Sequence, residues 1–427
     1  MDWADESGGI YMPNELVLKN ARVDDDKPLV DIGIEKGRIA EMGAGLKGET
    51  VLDLDGDVVI PSFIETHIHI DKALLESVKP NTEGTLAGAI KITGELKRAF
   101  EDEEVYHRAK KVLQMCIEHG TTIVRCYPDT DPLARLVGFK ACMRLKEEYK
   151  DFCEIQVGAF AQEGLIKSPG AYDFLDQAMK LGADTVNGCP YNENNYEDTK
   201  KHIDQIFELG KKYGKDVGFH ADFGDDISDK RYRSIDYIIE KTLKEKYEGR
   251  VTVSHMTSLS SLEPAAFDDT VKRMVAAKIN MVSCVATDVF LSGRHDQNKV
   301  RRGVVCPTAT IKAGLNHCFS TNNVQNGFTP FGNGDLLLIG NLYEHLCWLG
   351  TPADQKMLLN MITKNSAKTL RIEDTYGLEK GKNADLVVLH LKSLKDVFVQ
   401  VPPRRIVMHH GQIVYRMEKA VVKMMPH

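Results

Sequence analysis

Eight short runs rich in β-branched, aromatic and small residues recur through the middle of the chain, at 58–63, 121–126, 155–160, 184–188, 216–220, 251–255, 279–283 and 316–320, with stretches of helical period between several of them. Parallel strands need crossover connections, and eight such units are the number that closes a (β/α)8 barrel, an α/β fold of the TIM type. Val105, Ala109, Val112, Leu113 and Cys116 share one helical face, with Gly120 beyond them where a C-terminal cap belongs; Ile203, Ile206, Phe207 and Gly210 repeat the pattern. Further β-type runs lie at 16–18, 32–34, 38–40 and 51–54, and again at 384–389, 405–408 and 412–415, the latter after helices near 336–349 and 354–370. These read as a small β-sandwich domain built from both termini. The expected division is 14–57 and 374–424 for the sheet domain and 58–373 for the barrel.

Composition narrows the function. Fifty-five Lys and Arg against 62 Asp and Glu leave a net charge of −7, so no global positive field exists to hold nucleic acid or anionic lipid. No run approaches the ~18 apolar residues of a membrane-spanning helix, and the acidic opening Asp2, Asp5, Glu6 is unlike the basic start of a signal peptide, so a cytoplasmic location is expected. The nine cysteines are odd in number and form no C-x-x-C pair, which argues against a disulfide framework or a Cys-rich zinc site.

His67-Ile68-His69 follows the first strand candidate, and in extended backbone residues i and i+2 point the same way, so both imidazoles can meet one ion. His220 closes the fifth strand candidate and His255 the sixth, at the strand ends where barrel enzymes carry their chemistry. Four histidines so placed point to one divalent metal ion, zinc or iron, whose open position takes a water and acidifies it.

These residues, with Gly84-Thr85-Leu86, Gly158 to Gly164, Leu291-Ser292-Gly293-Arg294, Pro330 to Asp335 and Gly377 to Leu389, resemble the amidohydrolase superfamily over nearly the whole chain, and within it the cytosine deaminase branch with its aminotriazine hydrolase and creatinine-type relatives. The resemblance implies metal binding by His67, His69 and His220, transition-state stabilisation by His255, and contact between Gln162 and the ring of a small heterocyclic substrate. Barrel hydrolases of this kind often assemble, so a homo-oligomer is a further expectation.

Two departures stand out. Where cytosine deaminases carry a metal-binding, proton-moving aspartate after the eighth strand, this chain has Asn322. Where they carry a glutamate three residues after the fifth-strand histidine, it has Phe223. Asp222 is the nearest substitute proton carrier, with Asp225, Asp226, Asp129, Asp288 and Glu163 behind it. Phe223 offers an apolar wall in place of a group that reads a ring N–H, which favours a creatinine-like ring over cytosine. The expected activity is hydrolytic deamination of a small cyclic amidine with release of ammonia. An N-alkylaminotriazine or other cyclic amidohydrolase is the alternative, and a metal-retaining binding protein without turnover a second.

Overall fold

Alternation of buried and exposed side chains builds the first sheet of the computed structural model, which describes residues 14–417. Strands β1 (Asn14–Ala21), β2 (Val30–Glu35), β3 (Arg38–Gly43) and β4 (Gly48–Asp53) pair in the order β3-β2-β1-β4. Lys36 and Gly37, both at positive φ, make the two-residue turn that suits the twist of the β2–β3 hairpin.

The expected first barrel strand at 58–63 is divided by the structure. Strand β5 (Val58–Pro61) belongs to the sandwich, and the barrel begins with β6 (Phe63–Ile68), so His67 lies within the strand and His69 just past it. Pro61 has no N–H to continue a ladder, and Ser62 N donates instead to Asp385 O at 2.9 Å. The remaining barrel strands are β7 (Thr121–Cys126), β8 (Glu154–Ala161), β9 (Thr185–Gly188), β10 (Asp216–Ala221), β11 (Val251–His255), β12 (Asn280–Ser283) and β13 (Asn316–Phe319). All eight are parallel and in sequential order. The predicted helical faces lie in Asp102–Glu118 and Tyr196–Tyr213, with every residue named above for them buried. The helix expected over 354–370 is two, Pro352–Met361 and Lys364–Leu370, broken where Thr363 leaves helical geometry at φ −127°, ψ −94°.

The backbone bridge that closes the circle lies at Asn322. Asn322, at φ +60°, donates its N–H to His67 O at 3.1 Å and accepts from His69 N at 2.9 Å, bridging the end of β6 to the segment after β13. The ligand pair and the closing residue are thus clamped to each other through backbone.

Strands β14 (Leu386–Leu389), β15 (Arg404–His409) and β16 (Gln412–Arg416) join β5 in the order β16-β15-β14-β5. Leu18, Ile32 and Ile39 of the first sheet pack on Val59, Leu386 and Ile406 of the second, forming the sandwich core. Positions 418–424, expected in this domain, lie outside the described residues. Among the described residues no helix is long and apolar enough to cross a membrane.

Leu386 is fully buried between the two sheets. Leu386→Ala is expected to lower unfolding stability by ~2–5 kcal/mol, measured as a shift in the urea midpoint, because the cavity it leaves is walled by two sheets that cannot collapse together.

Candidate active site

The three imidazoles meet at the C-terminal mouth of the barrel. His67 Nε2 and His69 Nε2 each lie 3.0 Å from His220 Nε2, and all three rings are buried. Their outer nitrogens are held from behind: His69 Nδ1 donates to Tyr127 O at 2.7 Å, and His67 Nδ1 sits 2.9 Å from Ser254 Oγ. The carbonyl partner requires a proton on His69 Nδ1, which leaves the Nε2 lone pair facing His220. Tyr127 stacks on His67 at 4.3 Å and Phe160 on His220 at 4.1 Å, locking the ring planes. Burial, reinforced by neighbouring positive charges, holds all three well below the usual histidine range, so each is the neutral form that ligates.

That arrangement fits a divalent cation. At most one of two lone pairs aimed at His220 Nε2 can accept its proton; a cation accepts all three rings. Asn322 adds to the fit, since it is fully buried, lines the same chamber, and neither its amide oxygen nor its nitrogen has a hydrogen-bond partner among the described residues. Cys284 Sγ falls within ligand reach of His67 and His255, and burial pushes its thiol well up.

His255 lines the chamber beside this cluster, with Nδ1 2.6 Å from Asp288 Oδ1, while Asp288 Oδ2 accepts from Cys284 N at 2.8 Å. Phe223 stacks face to face on His255, 4.4 Å between centroids and 7° between planes. The imidazole is therefore fixed on one edge by a carboxylate and on one face by a phenyl ring. His255 itself takes φ +73°, an uncommon conformation for a side chain of this size, and so do Met256 at +59° and Asp222 at +51°.

Gln162 reaches the opposite wall, where Lys72 Nζ lies 3.4 Å from its oxygen. Lys72 went unread in the sequence, although it stands three residues after His69. It is 1% exposed and anchored 2.5 Å from Asp129 Oδ1. Asp129 is shared with buried Lys97, which also reaches Asp131 and Glu163 at 2.8 Å each. Asp129 and Glu163 are thereby committed to an ionic frame behind the chamber. Asn323 and Thr287 complete the polar lining, their side chains 3.2 Å apart.

Asp222, expected as the substitute proton carrier, is placed elsewhere by the structure. Its Oδ1 accepts from Ser234 N and Oγ, both at 2.7 Å, and its Oδ2 from Ile235 N at 3.3 Å. The left-handed turn at Asp222 sends the carboxylate to the start of helix Ile235–Glu245, where it caps orphan N–H groups instead of facing the chamber. Asp225 and Asp226 border an outer cleft of about 570 Å³ that shares Tyr191 and Phe223 with the chamber, and they accept from Gly293 N and from Ser228. Of the acidic candidates only Asp288 contacts a chamber histidine.

Comparison with known proteins matches this geometry to a family. The sequence pattern of the amidohydrolase family covers residues 80–415, which include His220, His255 and Asn322. N-isopropylammelide isopropyl amidohydrolase of Pseudomonas sp. (strain ADP) is 28% identical over 416 residues, 95% of this chain and 98% of its own length. The structure of 5-methylcytosine deaminase from Klebsiella pneumoniae, solved with 5-fluorocytosine, superposes with a TM-score of 0.90 at 28% identity, covering 96% of this chain and 99% of that one. N-isopropylammelide isopropylaminohydrolase from Burkholderia multivorans superposes with a TM-score of 0.82 at 25% identity, covering 94% and 98%.

Asp222 yields a test of bracing against proton transfer. Burial raises its carboxyl to about 6. An acid held above its unfolded value, ~3.9, contributes stability that is fully present below that value and fades as pH rises through the folded value. Asp222→Asn keeps the acceptor to Ser234 and has no titration, so between pH 4 and 7 the wild type should lose stability relative to the variant, on the order of 2–3 kcal/mol, in urea midpoints taken across pH. Turnover should change only a few-fold; a loss of ~10²-fold or more would return Asp222 to the chemistry.

Proposed function

This chain belongs to the amidohydrolase family, and from that footing we propose that it hydrolyses an exocyclic C–N bond of a small oxo-substituted cyclic amidine, releasing ammonia. The observation that carries the proposal is the convergence of His67, His69 and His220 on one point in a chamber also lined by Lys72, Gln162 and His255. A divalent ion, zinc or iron, held by those three imidazoles would supply a water acidified toward neutral pH.

The chain's own residues do the rest. The Gln162 amide offers both donor and acceptor to a neutral ring, and the Lys72 ammonium beside it favours a ring oxygen that gathers negative charge as the amidine carbon becomes tetrahedral. His255, its Nδ1 on Asp288, carries the proton that the missing aspartate and glutamate would have moved, delivering it to the departing nitrogen. Asp288 is a positioning residue here: it fixes the tautomer and stabilises the imidazolium. Phe223, flat on His255, excludes water from that transfer and gives the ring an apolar neighbour, which suits a creatinine-like N-methyl edge.

A second reading rests on the outer cleft. It borders the chamber across Tyr191 and Phe223, so a shift of those two rings would let a substituent on the departing nitrogen extend outward, and the product would then be an alkylamine. The two relatives named for N-isopropylammelide hydrolysis support this alternative.

Metal-loaded protein assayed on creatinine, cytosine, isocytosine and aminotriazines, with and without N-alkyl groups, separates the readings by product. Ammonia is the expected product, and His255→Ala should lower kcat by ~10²–10⁴ while metal content stays the same. Tight binding of these rings with no product from any of them would contradict the proposal and identify a binding protein.

A further inference from the structure

The sandwich gathers a second set of ligand-type side chains. Donor atoms of Asp385, His409 and His410 all lie within 4.8 Å of one another. Consecutive residues of a strand leave on opposite faces, so neighbouring histidines ordinarily cannot serve one ion. Here β15 ends at His409, and His410 and Gly411 form the tight turn into β16 with φ of +45° and +76°. The turn swings His410 back over His409, and the two rings stack with centroids 4.1 Å apart and planes at 20°.

The contacts within the cluster leave capacity for a ligand. Asp385 is 3% exposed; its Oδ1 accepts from His410 N at 2.8 Å, while Oδ2 stands 3.9 Å from His410 Nε2, too far for a hydrogen bond. His409 is 1% exposed and its Nδ1 lies 2.9 Å from Asp385 Oδ1, yet neither ring nitrogen makes a hydrogen bond of acceptable geometry among the described residues. An imidazole buried without partners beside a carboxylate is costly unless a cation shares the space. Asn383 Nδ2 lies 3.1 Å from His410 Nε2, so ligation through that nitrogen requires the amide to turn aside.

We propose that Asp385, His409 and His410 form a second divalent-cation site. Two imidazoles and one carboxylate suit zinc, cobalt or nickel over magnesium or calcium. His410 is half exposed, which provides an entry path and open positions for water. The site is distinct from the barrel cluster: Asp385 O accepts from Ser62 N at the start of β6, whereas His67 lies five residues on, roughly 16 Å of strand at ~3.3 Å per residue. It joins the residue before β14 to the β15–β16 turn and is a structural clamp, not part of the reaction.

Equilibrium dialysis of the full chain against Zn²⁺, with metal counted by elemental analysis, tests this directly. The wild type should hold two equivalents and His410→Asn one; asparagine tolerates the left-handed turn, so the hairpin is retained. His220→Ala should lose the other equivalent, which keeps the two sites separable. In the His220→Ala background, Zn²⁺ should also raise the thermal midpoint, and the added His410→Asn change should abolish that rise. Equal zinc in His410→Asn and wild type overturns the inference whatever His220→Ala does, and so does a midpoint rise that survives His410→Asn.

Discussion

Three buried imidazoles with their inner nitrogens 3.0 Å apart are the constraint around which the chain is arranged. Neutral rings so placed repel through their lone pairs, and the surroundings have to hold them. Tyr127 O and Ser254 Oγ fix the outer nitrogens, while Tyr127 and Phe160 clamp the ring planes. Asn322 ties the backbone on both sides of Ile68, at His67 O and His69 N, to the segment after the strand that closes the barrel. The same residue that closes the barrel also lines the chamber, where its side chain is buried without a hydrogen-bond partner among the described residues.

A carboxylate is absent at two positions where the cytosine deaminase pattern carries one, and under the proposed function groups distant in sequence take over its part. Asp288 lies 33 residues from His255 and contacts it at 2.6 Å, so a charged partner reaches the imidazole from behind the chamber. Lys72 is placed by Asp129, and Asp129 in turn by Lys97, so a cation at the chamber wall is supported by buried ion pairs instead of solvent. Pairs of this kind are strong only while complete, because removal of one member leaves an uncompensated buried charge.

What was legible in the sequence follows from locality. Parallel barrel strands are buried on both faces and read as apolar runs, so seven were bounded closely; the first was misplaced because Val58-Val59-Ile60 and Phe63-Ile64 serve two different sheets and are parted only by Pro61-Ser62. The H-x-H pair was legible because two-residue alternation is a local rule, and His220 and His255 because strand ends share one face of a barrel. The direction of the Asp222 carboxylate is not legible from its place two residues after His220, because a left-handed backbone turn sends it to Ser234 and Ile235. Lys72, Tyr127 and Ser254 act through contacts 57 to 187 residues apart, which no spacing rule reveals.

The central claim is that His67, His69 and His220 share one ion. Anomalous diffraction at the zinc edge from crystals of the zinc-loaded protein tests it most directly. The account predicts a peak within ~2.0–2.1 Å of all three Nε2 atoms. Full zinc occupancy elsewhere, with these imidazoles turned from a common centre, would contradict it.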